Sequence, residues 1–178
     1  MASVFGHAIA AIGIGKLFPK AEMTRKVYLL GAVSAMIPDL DVIGFEFDIQ
    51  WESMWSHRGF THSIFFAITW ALVLLVVFHR KKGFLKHFQL GSYYFLATVS
   101  HGLLDALTNG GNGIAFFAPF SAERYFLPWQ LIQVSPLGIG NFFSKWGLEV
   151  LQSEFFYIVI PSLMIGLLGT WFNKNVYR

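Results

Sequence analysis

His101 and Asp105 stand four residues apart in a chain of 178 residues. On a helix that spacing puts both side chains on one face, about one turn from each other. An imidazole and a carboxylate so placed can reach one divalent cation, or they can simply hydrogen-bond and satisfy two buried groups. His57 and His62 bracket the run Ser56-His57-Arg58-Gly59-Phe60-Thr61-His62-Ser63. Five residues is the wrong interval for one helical face, but a turn at Gly59 could bring both rings to one place. Arg58 between them offers a guanidinium suited to an anionic oxygen such as phosphate. In Pro38-Asp39-Leu40-Asp41, Pro38 discourages continued helix and the alternating carboxylates read as extended, so Asp39 and Asp41 should face opposite ways unless a turn folds them around an ion. His7 lies inside an otherwise apolar stretch, where a satisfied core histidine and a ligand are the two readings.

What positions these groups is a set of apolar runs. The composition is 55% hydrophobic and 18% aromatic with only 13% charged residues, about half the charge a soluble domain carries. Too few charges remain to clothe a surface in water, which excludes an ordinary soluble enzyme. The absence of cysteine excludes disulfide frameworks, redox CxxC centres and cysteine zinc modules. Three uncharged stretches, 59–79, 87–104 and 155–173, match the roughly 20 residues a bilayer core demands. Two shorter ones, 1–15 and 27–38, would reach only about 20 Å each, and would span only if partly polar turns continued them. The first is not a signal peptide on this reading, since Lys16 and Lys20 follow the apolar part rather than precede it.

If the five runs alternate, ten of the thirteen Lys and Arg residues fall on one side: Lys16, Lys20, Arg25, Lys26, Arg80, Lys81, Lys82, Lys86, Lys174 and Arg178. That side is cytoplasmic by the positive-inside rule. The net charge of +3 therefore reads as topology rather than as a nucleic-acid patch. The expected fold is an all-α polytopic membrane protein, one domain over 1–178, with about five membrane-embedded helices. The long stretch 108–153, rich in Gly, Pro and aromatic residues, reads as an external cap.

This topology brings His57, His62, His101, Asp105, Asp39 and Asp41 to one membrane face, with His7 slightly deeper. His79 and His87 flank the basic loop and read as ordinary interfacial residues. Four imidazoles and three carboxylates in one layer are costly to bury, and a cation compensates them best. A ligand set of N and O without sulfur suits Zn, with Mn possible. Seven candidates exceed the four of one tetrahedral ion, so two metals are plausible.

Gly6-His7, Pro38-Asp39-Leu40-Asp41, His57-Arg58-Gly59-Phe60-Thr61-His62-Ser63 and His101-Gly102-Leu103-Leu104-Asp105, in that order, resemble the YdjM/YbcI type of inner-membrane-associated, metal-dependent hydrolases, also labelled LexA-binding. The resemblance covers nearly the whole chain, and its label gives no reason to infer contact with LexA. More distantly, the order of these groups is similar to that of zinc-dependent phospholipase C and related single-strand nucleases. That likeness implies His7, Asp39 or Asp41, His57, His101 and Asp105 as ligands and Glu149 as a late carboxylate ligand or water-activating group. Those enzymes carry further histidines after the His-x3-Asp motif, which this chain lacks, though His62 could fill one vacancy. Together the readings give an inner-membrane hydrolase holding one to three ions at the periplasmic face. It would cleave a phosphoester of a phospholipid or other lipid-linked phosphate by metal-activated water. Arg58 would hold the anion, and Asp41 or Glu149 would act as general base. The rival class is a metal or proton transporter, for which intramembrane His and Asp also serve; a third is a structural protein with a stabilising ion. Leu72 to Phe78 and Leu163 to Leu168 are bare of ionisable groups, which disfavours an ion path through the full depth.

Overall fold

A computed structural model describes residues 1–136 and 139–176. Among them the regular structure is helical, with two isolated β-bridges in the loop after residue 107. Helix α1 (Val4–Gly15) starts at Ser3, whose hydroxyl accepts from the Gly6 amide. Helix α2 (Arg25–Met36) starts at Thr24, which caps the Val27 amide. Helix α3 (Ile64–Phe78) is capped by Ser63 through the Phe66 amide. Each cap satisfies an amide that the first helical turn leaves without a partner. Helix α4 (Phe84–Ala106) is the hub and packs against α1, α2 and α3. Short α5 (Ile139–Phe142) precedes α6 (Lys145–Glu154), a π turn over Phe155–Val159 and α7 (Ile160–Val176), which packs on α1. The π turn lies just ahead of Pro161, whose missing N–H opens the helical ladder there.

The core lies around α4. Leu90, Tyr93, Tyr94 and Ala97 meet Val27 and Ala35 of α2, Ala71 and Leu74 of α3 and Ala11 of α1. Alanines at these contacts let the helices approach closely, as membrane helix pairs do. Large apolar side chains meanwhile point outward: Leu72 and Val76 on α3, and Leu163 and Leu167 on α7, are more than half exposed. In water such a surface would be a liability; facing lipid it is the stable arrangement. Two helical stretches, Arg25–Phe47 and Lys145–Asn175, are long and apolar enough to cross a bilayer. Val4–Gly15 and Ile64–Phe78 are shorter apolar helices.

The first of those stretches corrects the reading of Pro38. The chain does not become extended there but tightens into a 3₁₀ helix, Ile37–Phe47, with Pro38 in its first turn. Proline is tolerated at that point because the first-turn amides lack helical partners anyway. The short second run is thereby lengthened, and Asp39 and Asp41 are placed on a helical turn. The cap region also differs from the expectation of an irregular stretch. Residues 108–136 form a loop, but α5 and α6 occupy the second half.

The basic residues beside the α1–α2 and α3–α4 connections meet at the end of the bundle away from His101. Glu22, in the α1–α2 connection, pairs with Lys86 of the first turn of α4 at 2.7 Å and with Lys82 of the α3–α4 connection at 3.3 Å. Its Lys86 hydrogen bond, aided by Lys82, holds its carboxyl below the ordinary value. The Asn173 side-chain amide donates to the carbonyls of Lys16 and Phe18, tying α7 to the same end. His79 is more than interfacial: it is buried, with Nε2 2.9 Å from the Tyr94 hydroxyl. Arg178 lies outside the described residues.

Candidate metal centre

Asp39, His62, His101 and Asp105 are all buried, and each offers one ligand atom within 4.8 Å of the others. His101 and Asp105 come from the last turns of α4, on one face and one turn apart by i,i+4. Asp39 comes from the 3₁₀ helix and His62 from the short 3₁₀ turn Phe60–His62 that leads into α3. Gly102 permits the close approach of α4 to that turn, since a Cβ there would stand 2.9 Å from the His62 carbonyl oxygen.

The Nε2 atoms of His62 and His101 are 3.0 Å apart. Asp39 Oδ1 is 3.3 Å from His101 Nε2 and 3.8 Å from His62 Nε2. Asp105 Oδ2 is 3.8 Å and 3.7 Å from the same two nitrogens. Donor atoms around a tetrahedral ion with bonds of about 2.0–2.1 Å stand roughly 3.3 Å from one another, so this set is close to the required spacing. Both Asp39 oxygens and Asp105 Oδ2 are buried without a hydrogen-bond partner. Buried carboxylate oxygens are costly when unpaired, and a cation between these four groups removes that cost. The residues present therefore fit a divalent ion.

A surrounding layer of hydrogen bonds fixes the rings. His101 Nδ1 lies 2.7 Å from the Ala35 carbonyl oxygen and must donate to it, leaving the Nε2 lone pair for the centre. Asp41 stands behind both loop histidines, 2.6 Å from His57 Nδ1 and 3.2 Å from His62 Nδ1. It also accepts from the Arg58 amide and the Thr61 hydroxyl. Asp41, His57 and His62 form a second cluster with ligand spacing, but a neutral imidazole has one lone pair, so His62 cannot serve both clusters. His7 stacks on His101 with ring centroids 3.8 Å apart and stands 3.4 Å from Asp105 Oδ1. It backs the four-residue set from α1.

Arg58 is almost completely buried and has a positive φ of 68°. Its Nε lies 3.6 Å from Asp105 Oδ2, while Nη1 donates to the Gly110 carbonyl and Nη2 to the Thr108 hydroxyl. One side chain thus joins the centre to the cap loop. Arg124 of that loop donates back to the carbonyls of His57 and Ser53 and to the Ser56 hydroxyl.

Glu149 does not join these groups. It sits exposed on α6, whose buried positions are Gly147, Val150 and Glu154. Glu154 is the acid that turns inward, bonding the Ser3 amide and hydroxyl beside Asp105. The i, i+3, i+7 spacing of the buried stripe was the signal for Glu154, and it leaves Glu149 on the opposite side.

The family described as YdjM inner membrane protein matches residues 1–175. The chain belongs to that family. Its relative Inner membrane protein YbcI of Escherichia coli (strain K12) is 34% identical over 178 residues, covering 98% of this chain and all of YbcI. No solved structure matches. Membership makes this chain an inner membrane protein, in keeping with its two apolar candidate spans. For a YdjM-family protein the buried polar centre is the notable feature, since neither its burial nor its charge suits a bilayer unless the groups compensate one another.

Proposed function

We propose that the chain is a multi-pass, metal-dependent hydrolase of the inner membrane, with about five embedded helices and its centre toward the periplasmic face. The substrate class is a phospholipid or other lipid-linked phosphate. The observation that carries this reading is the four-residue set Asp39, His62, His101 and Asp105, in which three buried carboxylate oxygens accept no hydrogen bond. A divalent cation there, Zn by ligand type or Mn, would polarise a phosphoryl oxygen and acidify a water.

The chain's own residues supply the rest. His57, with Nδ1 held by Asp41, keeps Nε2 free as an acceptor, so the His57–Asp41 pair serves as the general base. Asp41 acts through the two histidines it orients. Arg58 places a buried positive charge beside the centre, where its field would favour an anionic phosphoryl group. Glu149 takes no part. Leu40, Ile43 and Phe47 are exposed on the 3₁₀ helix that carries Asp39, which gives a lipid an apolar surface beside the centre.

A second reading rests on burial. All four prospective ligands are enclosed, and closed four-ligand sites are characteristic of structural ions, while transporters also hold intramembrane His and Asp. Against transport, Tyr94 and His79 form the next polar pair along α4, and seven residues, about 10 Å of helix, separate Tyr94 from His101. The hydroxyl of intervening Thr98 is turned back onto the Tyr94 carbonyl. The deciding experiment is a hydrolysis screen over lipid phosphates with purified protein in nanodiscs. Hydrolysis that needs metal and disappears in His57→Ala with metal retained supports the enzyme. Metal-loaded protein that hydrolyses nothing but moves ions in sealed vesicles replaces that reading with transport.

A further inference from the structure

The opposite end of the bundle holds a second arrangement of charge and space. A cavity of about 580 Å³ lies between the α1–α2 connection and the end of α7, with Lys16, Lys20 and Lys174 on its walls. Glu22 is the sole acid in that connection, and it is taken by Lys82 and Lys86. Lys20 and Lys174 have no ion pair among the described residues, and Lys16 rests over the Tyr28 ring at 5.0 Å. Among the described residues, three cations therefore line one space without an acidic counter-charge. At the same place the Asn173 amide nitrogen makes three bonds to carbonyls, while its buried Oδ1 has no donor.

This cavity continues into an apolar groove of about 280 Å³ between α1 and α7, the two sharing Lys16 and Thr170. Ile9, Ile12, Leu163 and Leu167 wall the groove. It runs along helices whose outer faces are apolar, so it opens toward acyl chains. Lys16 is nine residues from His7, about 14 Å along α1, so the arrangement is separate from the metal centre.

We propose that this is a binding site for an anionic phospholipid of the cytoplasmic leaflet, with the headgroup phosphate among Lys16, Lys20 and Lys174 and one acyl chain in the α1–α7 groove. Charge selects the anion, since basic pockets between helices on the cytoplasmic side attract acidic headgroups. Phosphatidylglycerol, with its net negative charge, is the probe for this class, and zwitterionic phosphatidylcholine is its control. The groove selects a lipid over a free phosphate.

The test is binding of short-chain phosphatidylglycerol, phosphatidylcholine and glycerol 3-phosphate to the purified full-length protein in detergent. Phosphatidylglycerol should bind saturably and at least about tenfold more tightly than the other two. Lys20→Gln and Lys174→Gln remove exposed, unpaired charges and should each weaken it about fivefold, with metal content unchanged. Gly166→Leu fills the groove, where a Cβ meets only the Lys16 side chain at 3.6 Å, and should weaken the lipid without affecting glycerol 3-phosphate. Equal binding of the two lipids, an undiminished preference in the lysine variants, or glycerol 3-phosphate binding as tightly as the lipid would each overturn the proposal.

Discussion

His101 Nδ1 lies 2.7 Å from the carbonyl oxygen of Ala35, joining α4 to the end of α2. A carbonyl only accepts, so this nitrogen carries the proton and Nε2 presents a lone pair. Facing it at 3.0 Å is His62 Nε2. Two nitrogens and two carboxylates directed at one point repel one another unless a proton or a cation lies among them. The geometry of the whole centre turns on that contact.

Asp41 offers the first prediction. Because it orients His57 and His62 rather than completing the four-residue set, Asp41→Asn should retain one ion per chain at saturating metal while weakening affinity about 10–100-fold, the usual effect of losing a group that orients a ligand. Competition with a chelator of known affinity measures this. Complete loss of metal at saturation would make Asp41 a ligand itself.

Arg58 gives the second. Removing a buried guanidinium leaves Asp105 beside an empty space and releases the loop at Thr108 and Gly110. Arg58→Ala should cost about 3–5 kcal/mol of stability, as breaking a buried ion pair does, and Arg58→Lys should recover only part of it because the planar fork is lost. Chemical denaturation in mild detergent checks both. A change below about 1 kcal/mol in Arg58→Ala would mean that the cap does not depend on this residue.

The pairing of His101 with Asp105 was legible because helical periodicity alone brings residues four apart together. The shared face of the Asp39, His62 and His101 groups was legible from alternation of the apolar runs. Local conformation around Pro38 was not, since a proline signals only that an ordinary helix is disfavoured, and a 3₁₀ turn satisfies it as well as extended chain does. Glu149 illustrates a different limit. Order along the chain placed a late acid in the site, but rotation about the helix decides which acid turns inward, and five residues separate it from Glu154 by roughly 140°. The clamp roles of Arg58 and Arg124 depend on loop contacts across 50 and more residues, which spacing does not encode.

Topology supplies the third prediction. The basic connections lie at the end away from the centre, so a reporter inserted after Lys82 should behave as cytoplasmic and one near exposed Asn112 as periplasmic. Paired fusions to an enzyme active only in the cytoplasm and one active only outside read this directly. The reverse pattern would move the centre to the cytoplasmic face.

The central claim is that Asp39, His62, His101 and Asp105 hold a divalent cation. Elemental analysis of the purified protein, loaded with Zn or Mn and then dialysed exhaustively, measures it against His101→Ala, Asp105→Ala and His87→Ala. The account predicts close to one ion per chain in the parent protein and in His87→Ala, and a near-complete loss in the other two while they still insert in the membrane. A parent protein that retains no ion, or a His101→Ala and Asp105→Ala pair that retain it in full, would contradict the account.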